Sequence, residues 1–108
     1  MKNFRTYDLA LELHRTIGKE CADLGVKGEL LDQAKRASMS AVLNLSEGSG
    51  KITPKGRRHF YSIALGSLRE VQACCDLMDA SISTKVLTDK VAGCLFRLIQ
   101  NPGRMPLA

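Results

Sequence analysis

The chain has no tryptophan, two tyrosines and three phenylalanines. A core without large rings must be filled by Leu, Ala, Val and Ile, which suits closely packed helices better than a sheet. Only three prolines occur, at Pro54, Pro102 and Pro106, so long uninterrupted helices are open to it. The four cysteines, Cys21, Cys74, Cys75 and Cys94, show no C-x-x-C spacing. That excludes the common zinc-ligand patterns and reads as reduced thiols packed as small apolar residues. It fits a reducing cytoplasm. No run reaches the ~20 apolar residues of a membrane span. Met1-Lys2-Asn3-Phe4-Arg5 leads into no apolar signal core. The expectation is a soluble cytoplasmic protein with no membrane partner.

Acid is the other scarcity, and it is local. From Gln33 to Arg69 the sole acid is Glu47, against Lys35, Arg36, Lys51, Lys55, Arg57, Arg58 and Arg69. The formal net charge of the 108 residues is +5. A basic balance favours solubility and attraction to polyanions, and leaves the fold open.

Apolar spacing supplies the architecture. Ala10, Leu13, Ile17, Cys21 and Leu24 recur at helical steps, so a first helix is predicted from Asn3, its N-cap, to Asp23. Gly25 and Gly28 break it. A second helix starts near Glu29, with Leu30, Ala34, Ala37, Ala41 and Leu45 on one face, widened by Ser38 and Val42. Beside that face runs a polar stripe of Gln33, Arg36, Ser40, Asn44 and Glu47. Gly48 and Gly50 end the helix. Thr53 as N-cap and Pro54 at the first helical position open a third helix, predicted to reach Ala80. It carries two stripes: Phe60, Ala64, Leu68, Val71, Cys75 and Met78, and Ile63, Ser67, Glu70, Cys74 and Leu77. Gly66 and Ser67 lower its helix propensity, and close approach by another backbone is the expected return. A fourth helix, capped by Ser81 or Ser83, runs to Gln100. Ile82, Val86, Gly93 and Phe96 line one side of it; Leu87, Val91, Leu95 and Leu98 line another. Asn101-Pro102-Gly103 stops it. The prediction is an all-α, antiparallel up-down-up-down four-helix bundle over residues 1–101, with a loose tail over 102–108.

Lys51, Lys55, Arg57 and Arg58 surround the start of the third helix, where the helix dipole and free N–H groups favour anions. Guanidinium groups suit phosphate oxygens. The bland alternative is a solvated loop. Aromatics that could stack on bases there are limited to His59, Phe60 and Tyr61. Glu47 is placed to meet Arg58 or His59, and Glu70 to meet Arg36 or Ser40. A metal–carboxylate site of the di-iron kind needs Glu-x-x-His pairs. Leu11 and Gly56 stand three residues before His14 and His59, so the ligand set is missing. A hydrogen-bonded network that sets helix or subunit register is the simpler reading. No nucleophile has a base at a predictable distance. The chain therefore reads as a non-enzyme without cofactor or metal.

Gln33, Arg36-Ala37, Ser40, Asn44-Leu45-Ser46-Glu47-Gly48, then Phe60, Ile63-Ala64-Leu65-Gly66-Ser67 and Glu70 closely resemble the bacterial "four helix bundle protein" family. That family includes proteins encoded in intervening sequences of 23S ribosomal RNA genes and the accessory variability determinant of diversity-generating retroelements. The resemblance runs from Phe4 to about Leu98. It implies a left-handed bundle that assembles as a ring-like homopentamer with a basic surface. For the retroelement branch it further implies binding of nucleic acid and of a reverse transcriptase. Val42 departs from the pattern, where members often have proline, as does Ser46, where they often have alanine. On this basis Lys35, Arg36, Lys51, Lys55, Arg57 and Arg58 are the candidate nucleic-acid contacts. Ser40, Asn44, Glu47, Gly48, Gly66, Ser67 and Glu70 are the candidate structural or interface residues. The alternative is a scaffold that recruits a protein partner without touching nucleic acid.

Overall fold

In a computed structural model that describes residues 4–103, the chain forms four helices: α1 (Arg5–Leu24), α2 (Gly28–Ser49), α3 (Pro54–Met78) and α4 (Ile82–Gln100). There is no strand among the described residues. The expected N-cap Asn3 and the tail beyond Gly103 lie outside them. Each boundary has a local cause. Gly25 takes a left-handed conformation, φ 68°, that glycine adopts without a Cβ penalty, and its N–H bonds back to the Ala22 carbonyl. Thr53 accepts from the Gly56 N–H at 3.0 Å and caps α3, with Pro54 following. α3 stops at Met78, two residues early, because Asp79 turns left-handed at φ 54° and the Ala80 N–H returns to the Cys75 carbonyl.

The core is the set that the spacing marks. Ala10, Leu13, Ile17 and Cys21 of α1 are buried, as are Ala34, Ala37, Ala41, Val42 and Leu45 of α2. Ala64, Leu68, Val71, Cys74 and Cys75 of α3 meet Val91, Ala92 and Leu95 of α4. Small alanines on α2 let neighbouring helices approach. Phe4 closes one end. Burial pushes the thiols of Cys21, Cys74 and Cys75 up, which keeps them protonated and suited to packing. Thr84 and Thr88 are buried on α4 although periodicity gives no reason to place hydroxyls there. Thr88 donates to the Thr84 carbonyl at 2.8 Å, so its hydroxyl is satisfied within the helix.

Not every expected stripe is covered. Leu24, Ile63 and Leu77 stay exposed, Leu77 at 74%. On α4, Ile82 (81% exposed), Val86 and Phe96 also face outward. The bundle thus leaves part of α3's second stripe and one side of α4 bare.

Two contacts lock the register, one polar and one steric. Glu20 of α1 accepts through Oε1 from the Ser81 N–H at 3.2 Å, from the Ser81 hydroxyl at 2.7 Å and from the Thr84 hydroxyl. These bonds join the end of α1 to the cap of α4. The Thr84 hydroxyl above all, with Ser81, holds the Glu20 carboxyl below its ordinary range. Gly48, buried on α2, faces Tyr61: a Cβ there would lie 2.8 Å from the ring.

The depressed Glu20 pKa adds stability that is present above the ordinary carboxylate range and lost as pH falls through the folded value. Glu20→Ala should therefore lower stability by about 1 kcal/mol at pH 7 in chemical denaturation, and the gap from wild type should close on acidification below about pH 4. Gly48→Ala gains about 1 kcal/mol of helix propensity but forces the Tyr61 ring aside, a strain of about 1–3 kcal/mol. The expected outcome is a net loss near 1 kcal/mol in the same measurement.

Candidate nucleic-acid interface

Six basic residues carry the sequence expectation, and the fold sorts them into three groups. Lys35 and Arg36 are exposed in the middle of α2. Lys51, Lys55 and Arg58 lie in and just after the α2–α3 loop, Lys55 and Arg58 exposed and Lys51 half-buried. Lys35 and Lys51 are sixteen positions apart, which along a helix is about 24 Å. These are two separate basic surfaces on one molecule.

Arg57 belongs to neither. Its side chain is 3% exposed. Nε donates to the Pro102 carbonyl at 2.5 Å, and Nη1 donates to the carbonyls of Lys51 (2.9 Å) and Ile52 (2.7 Å). Those acceptors lie just beyond the C-terminal ends of α2 and α4, where the helix dipoles turn negative. A buried cation needs such partners, since an unpaired one costs several kcal/mol. The assignment of Arg57 to phosphate is thus corrected: it bolts the loop and the end of α4 together. Position in a basic run is no guide to which arginine faces water. The same contact buries Pro102, so the packed unit extends past the boundary set at residue 101.

The remaining loop cations stay available. Arg58 Nε makes a long bond, 3.3 Å, to the Ile99 carbonyl and remains exposed. Lys51 Nζ sits 5.0 Å over the Phe60 ring, and His59 meets Phe60 edge-on with ring centroids 5.0 Å apart. Tyr61 is 1% exposed and its phenol is pushed up by burial, so it is unavailable for base stacking. The one ion pair among the described residues is Lys85–Asp76, at 3.8 Å. Lys35, Arg36, Lys51, Lys55 and Arg58 therefore have no carboxylate within ion-pair reach among those residues. Glu47 is exposed and does not bond Arg58 or His59.

The polar stripe of α2 does meet α3. Gln33 Nε2 donates to Glu70 Oε2 at 2.7 Å. Ser67 Oγ donates to Ser40 Oγ at 2.8 Å, and Asn44 Nδ2 donates to the Ser40 carbonyl at 2.9 Å and to its hydroxyl at 3.1 Å. Glu70 pairs with Gln33 instead of Arg36 or Ser40. Numbers in contact run in opposite directions along the two helices, 33 with 70, 40 with 67 and 48 beside 61. Gly66 is exposed, and a Cβ there would touch nothing within 4 Å. Among the described residues, then, no backbone makes the close approach expected at Gly66. No helix of the described residues is long and apolar enough to cross a membrane.

Arg57→Ala strips a buried cation from three carbonyls and should cost about 3 kcal/mol in a denaturant or thermal melt, with Arg57→Lys no rescue because a lysine cannot span both sides of the fork. Arg58→Ala should stay within about 0.5 kcal/mol of wild type.

The family model for the 23S rRNA-intervening sequence protein matches residues 2–105. No curated protein and no solved structure matches the chain. With a match over nearly all of its length and four helices packed as a bundle, the chain belongs to the 23S rRNA-intervening sequence protein family.

Proposed function

We propose that this protein is a non-catalytic, oligomeric bundle that binds nucleic acid, RNA in the first instance, through phosphate and without reading base sequence. The observation that carries this reading is the set of exposed or half-exposed cations that no described carboxylate reaches at ion-pair distance: Lys51, Lys55 and Arg58 at the loop, Lys35 and Arg36 on α2. Each cation that neutralises a phosphate releases counterions and adds to affinity. Of the aromatics near the loop, Tyr61 is buried and Phe60 is covered by Lys51, which leaves His59 alone exposed and argues for backbone contact over base stacking.

The assembly we propose is an up-down-up-down bundle repeated in a ring-like homopentamer, acting in the cytoplasm. Leu43 (58% exposed), Ile63 and Leu77 would be covered between copies. Gly66 would let a neighbouring backbone come close, and the Ser40–Ser67–Asn44 network would hold the two helices of that face rigid. A ring repeats each basic surface five times, so weak phosphate contacts add up.

A second reading has its own observation. Ile82, Val86 and Phe96 leave an apolar side of α4 outside the α2–α3 face. A scaffold that recruits a protein, a reverse transcriptase among them, would use that side and ignore nucleic acid.

Affinity for single-stranded RNA and for duplex DNA measured against salt separates the two. The log–log slope should approach −0.7 per phosphate contacted on single strands and −0.9 on duplex. Lys51→Ala/Lys55→Ala/Arg58→Ala should flatten the single-strand slope by roughly 2 in a folded protein. No binding at low salt would leave the protein-recruiting scaffold as the reading that stands. In sedimentation equilibrium the ring predicts a mass five times the 11.8 kDa of one chain.

A further inference from the structure

Between α1 and α2 lies a shallow groove of about 390 Å³, lined by His14, Asp32, Lys35, Arg36 and Met39. It is remote from the α2–α3 loop. Its chemistry is set by one histidine. His14 Nδ1 lies 2.7 Å from the hydroxyl oxygen of Ser38, a residue buried in the bundle. The Ser38 hydroxyl donates to the Lys35 carbonyl at 3.1 Å. A hydroxyl has one proton to give. The tautomer that keeps the Ser38–Lys35 bond is the one in which Nδ1–H donates to Ser38 Oγ. The neutral imidazole then carries its lone pair on Nε2, at the far side of the ring from Ser38. Nε2 has no hydrogen-bond partner among the described residues.

In that tautomer the groove offers a hydroxyl acceptor alongside two cations. Lys35 and Arg36, less Asp32, leave a formal charge of about +1, which matches one phosphodiester better than a doubly charged phosphate monoester. Met39, 46% exposed, adds a soft apolar surface for a sugar or base face. A phosphodiester beside a sugar hydroxyl describes RNA, since the 2′-hydroxyl is the donor that DNA lacks.

We infer that this groove is an RNA-discriminating site, in which Lys35 and Arg36 hold a backbone phosphate and His14 Nε2 accepts from the adjacent ribose 2′-hydroxyl. The inference rests on the nucleic-acid reading above and adds a chemical preference to it. The loop cations give affinity to any strand; the groove tells RNA from DNA. Ser38 is a positioning residue that sets the histidine tautomer.

The test uses the full chain and three single-stranded probes of equal length: oligouridylate, its deoxyuridine counterpart and its 2′-O-methyl counterpart, read by fluorescence anisotropy at one salt concentration. Wild type should bind the ribose probe about five-fold more tightly than either other probe, the worth of one hydrogen bond. His14→Phe keeps the ring and removes both nitrogens. It should bind all three probes equally, with an unchanged salt slope, whereas Lys35→Ala/Arg36→Ala should weaken all three and flatten the slope. The 2′-O-methyl probe tests the same bond without touching the protein, so a variant that fails to fold leaves the question answerable. Equal binding of the three probes by wild type overturns the groove assignment and leaves general nucleic-acid binding standing. So does a ribose preference retained by folded His14→Phe. Failure of wild type to bind any probe at low salt overturns both.

Discussion

The structure depends on a buried cation that donates to backbone carbonyls. Arg57 sits where α2 ends, α3 begins and α4 runs out, and it is held by carbonyls that neither α2 nor α4 can satisfy within itself. The helix ends need a donor, and the guanidinium needs acceptors; each is expensive to leave alone. Because Arg57 turns inward, the loop has a fixed shape. Because the loop has a fixed shape, Lys55 and Arg58 point at solvent from a rigid base. Charge that looks like one basic run divides into a structural cation and an accessible set.

The α2–α3 pair is the second constraint. Alanines at 34, 37 and 41 keep α2 slim on its inner face, and Gly48 leaves room for the Tyr61 ring to pack against it. On the outer side, Gln33–Glu70 and the Ser40–Ser67–Asn44 network replace apolar packing with hydrogen bonds. Such a seam fixes register, since sliding by one residue would break every bond in it. It also leaves a surface of mixed small, polar and apolar groups, with Gly66 bare at its centre, which is the composition a second helix could approach closely. Arg36 and Lys35 stand at the edge of this surface, so assembly and nucleic-acid contact would share α2.

Much of this is written in periodicity. The four helices, the Thr53–Pro54 start, the Ser81 cap and the small residues of the core follow from spacing and capping chemistry alone. The contact between the α2 and α3 polar stripes follows as well, although Glu70 takes Gln33 as its partner and Glu47 stays in solvent. What spacing could not reveal is direction at single positions. Arg57 and Arg58 are adjacent and chemically identical, yet one helical step of 100° separates a buried bolt from a solvated charge. Tyr61 differs from Phe60 in the same way. A readable hint for Arg57 existed: a position that falls in line with Tyr61, Ala64 and Leu68 on the inward face of α3. The Glu20–Ser81–Thr84 lock and the His14–Ser38 pair join residues more than twenty positions apart, and no local pattern announces them. Leu77 and Ile82 fall in apolar stripes, yet both face outward, and no other described residue covers them.

That the two adjacent arginines face opposite ways, Arg57 into the bundle and Arg58 into solvent, is tested directly by the arginine Nε–H signals in a ¹⁵N-edited NMR spectrum. The Arg57 signal should be present, slow to exchange with solvent, and unmoved when single-stranded RNA is added at low salt. The Arg58 signal should exchange fast in the free protein and shift with RNA. An Arg57 signal that exchanges as fast as Arg58 and moves on titration would contradict the claim, and would return Arg57 to the phosphate-binding surface.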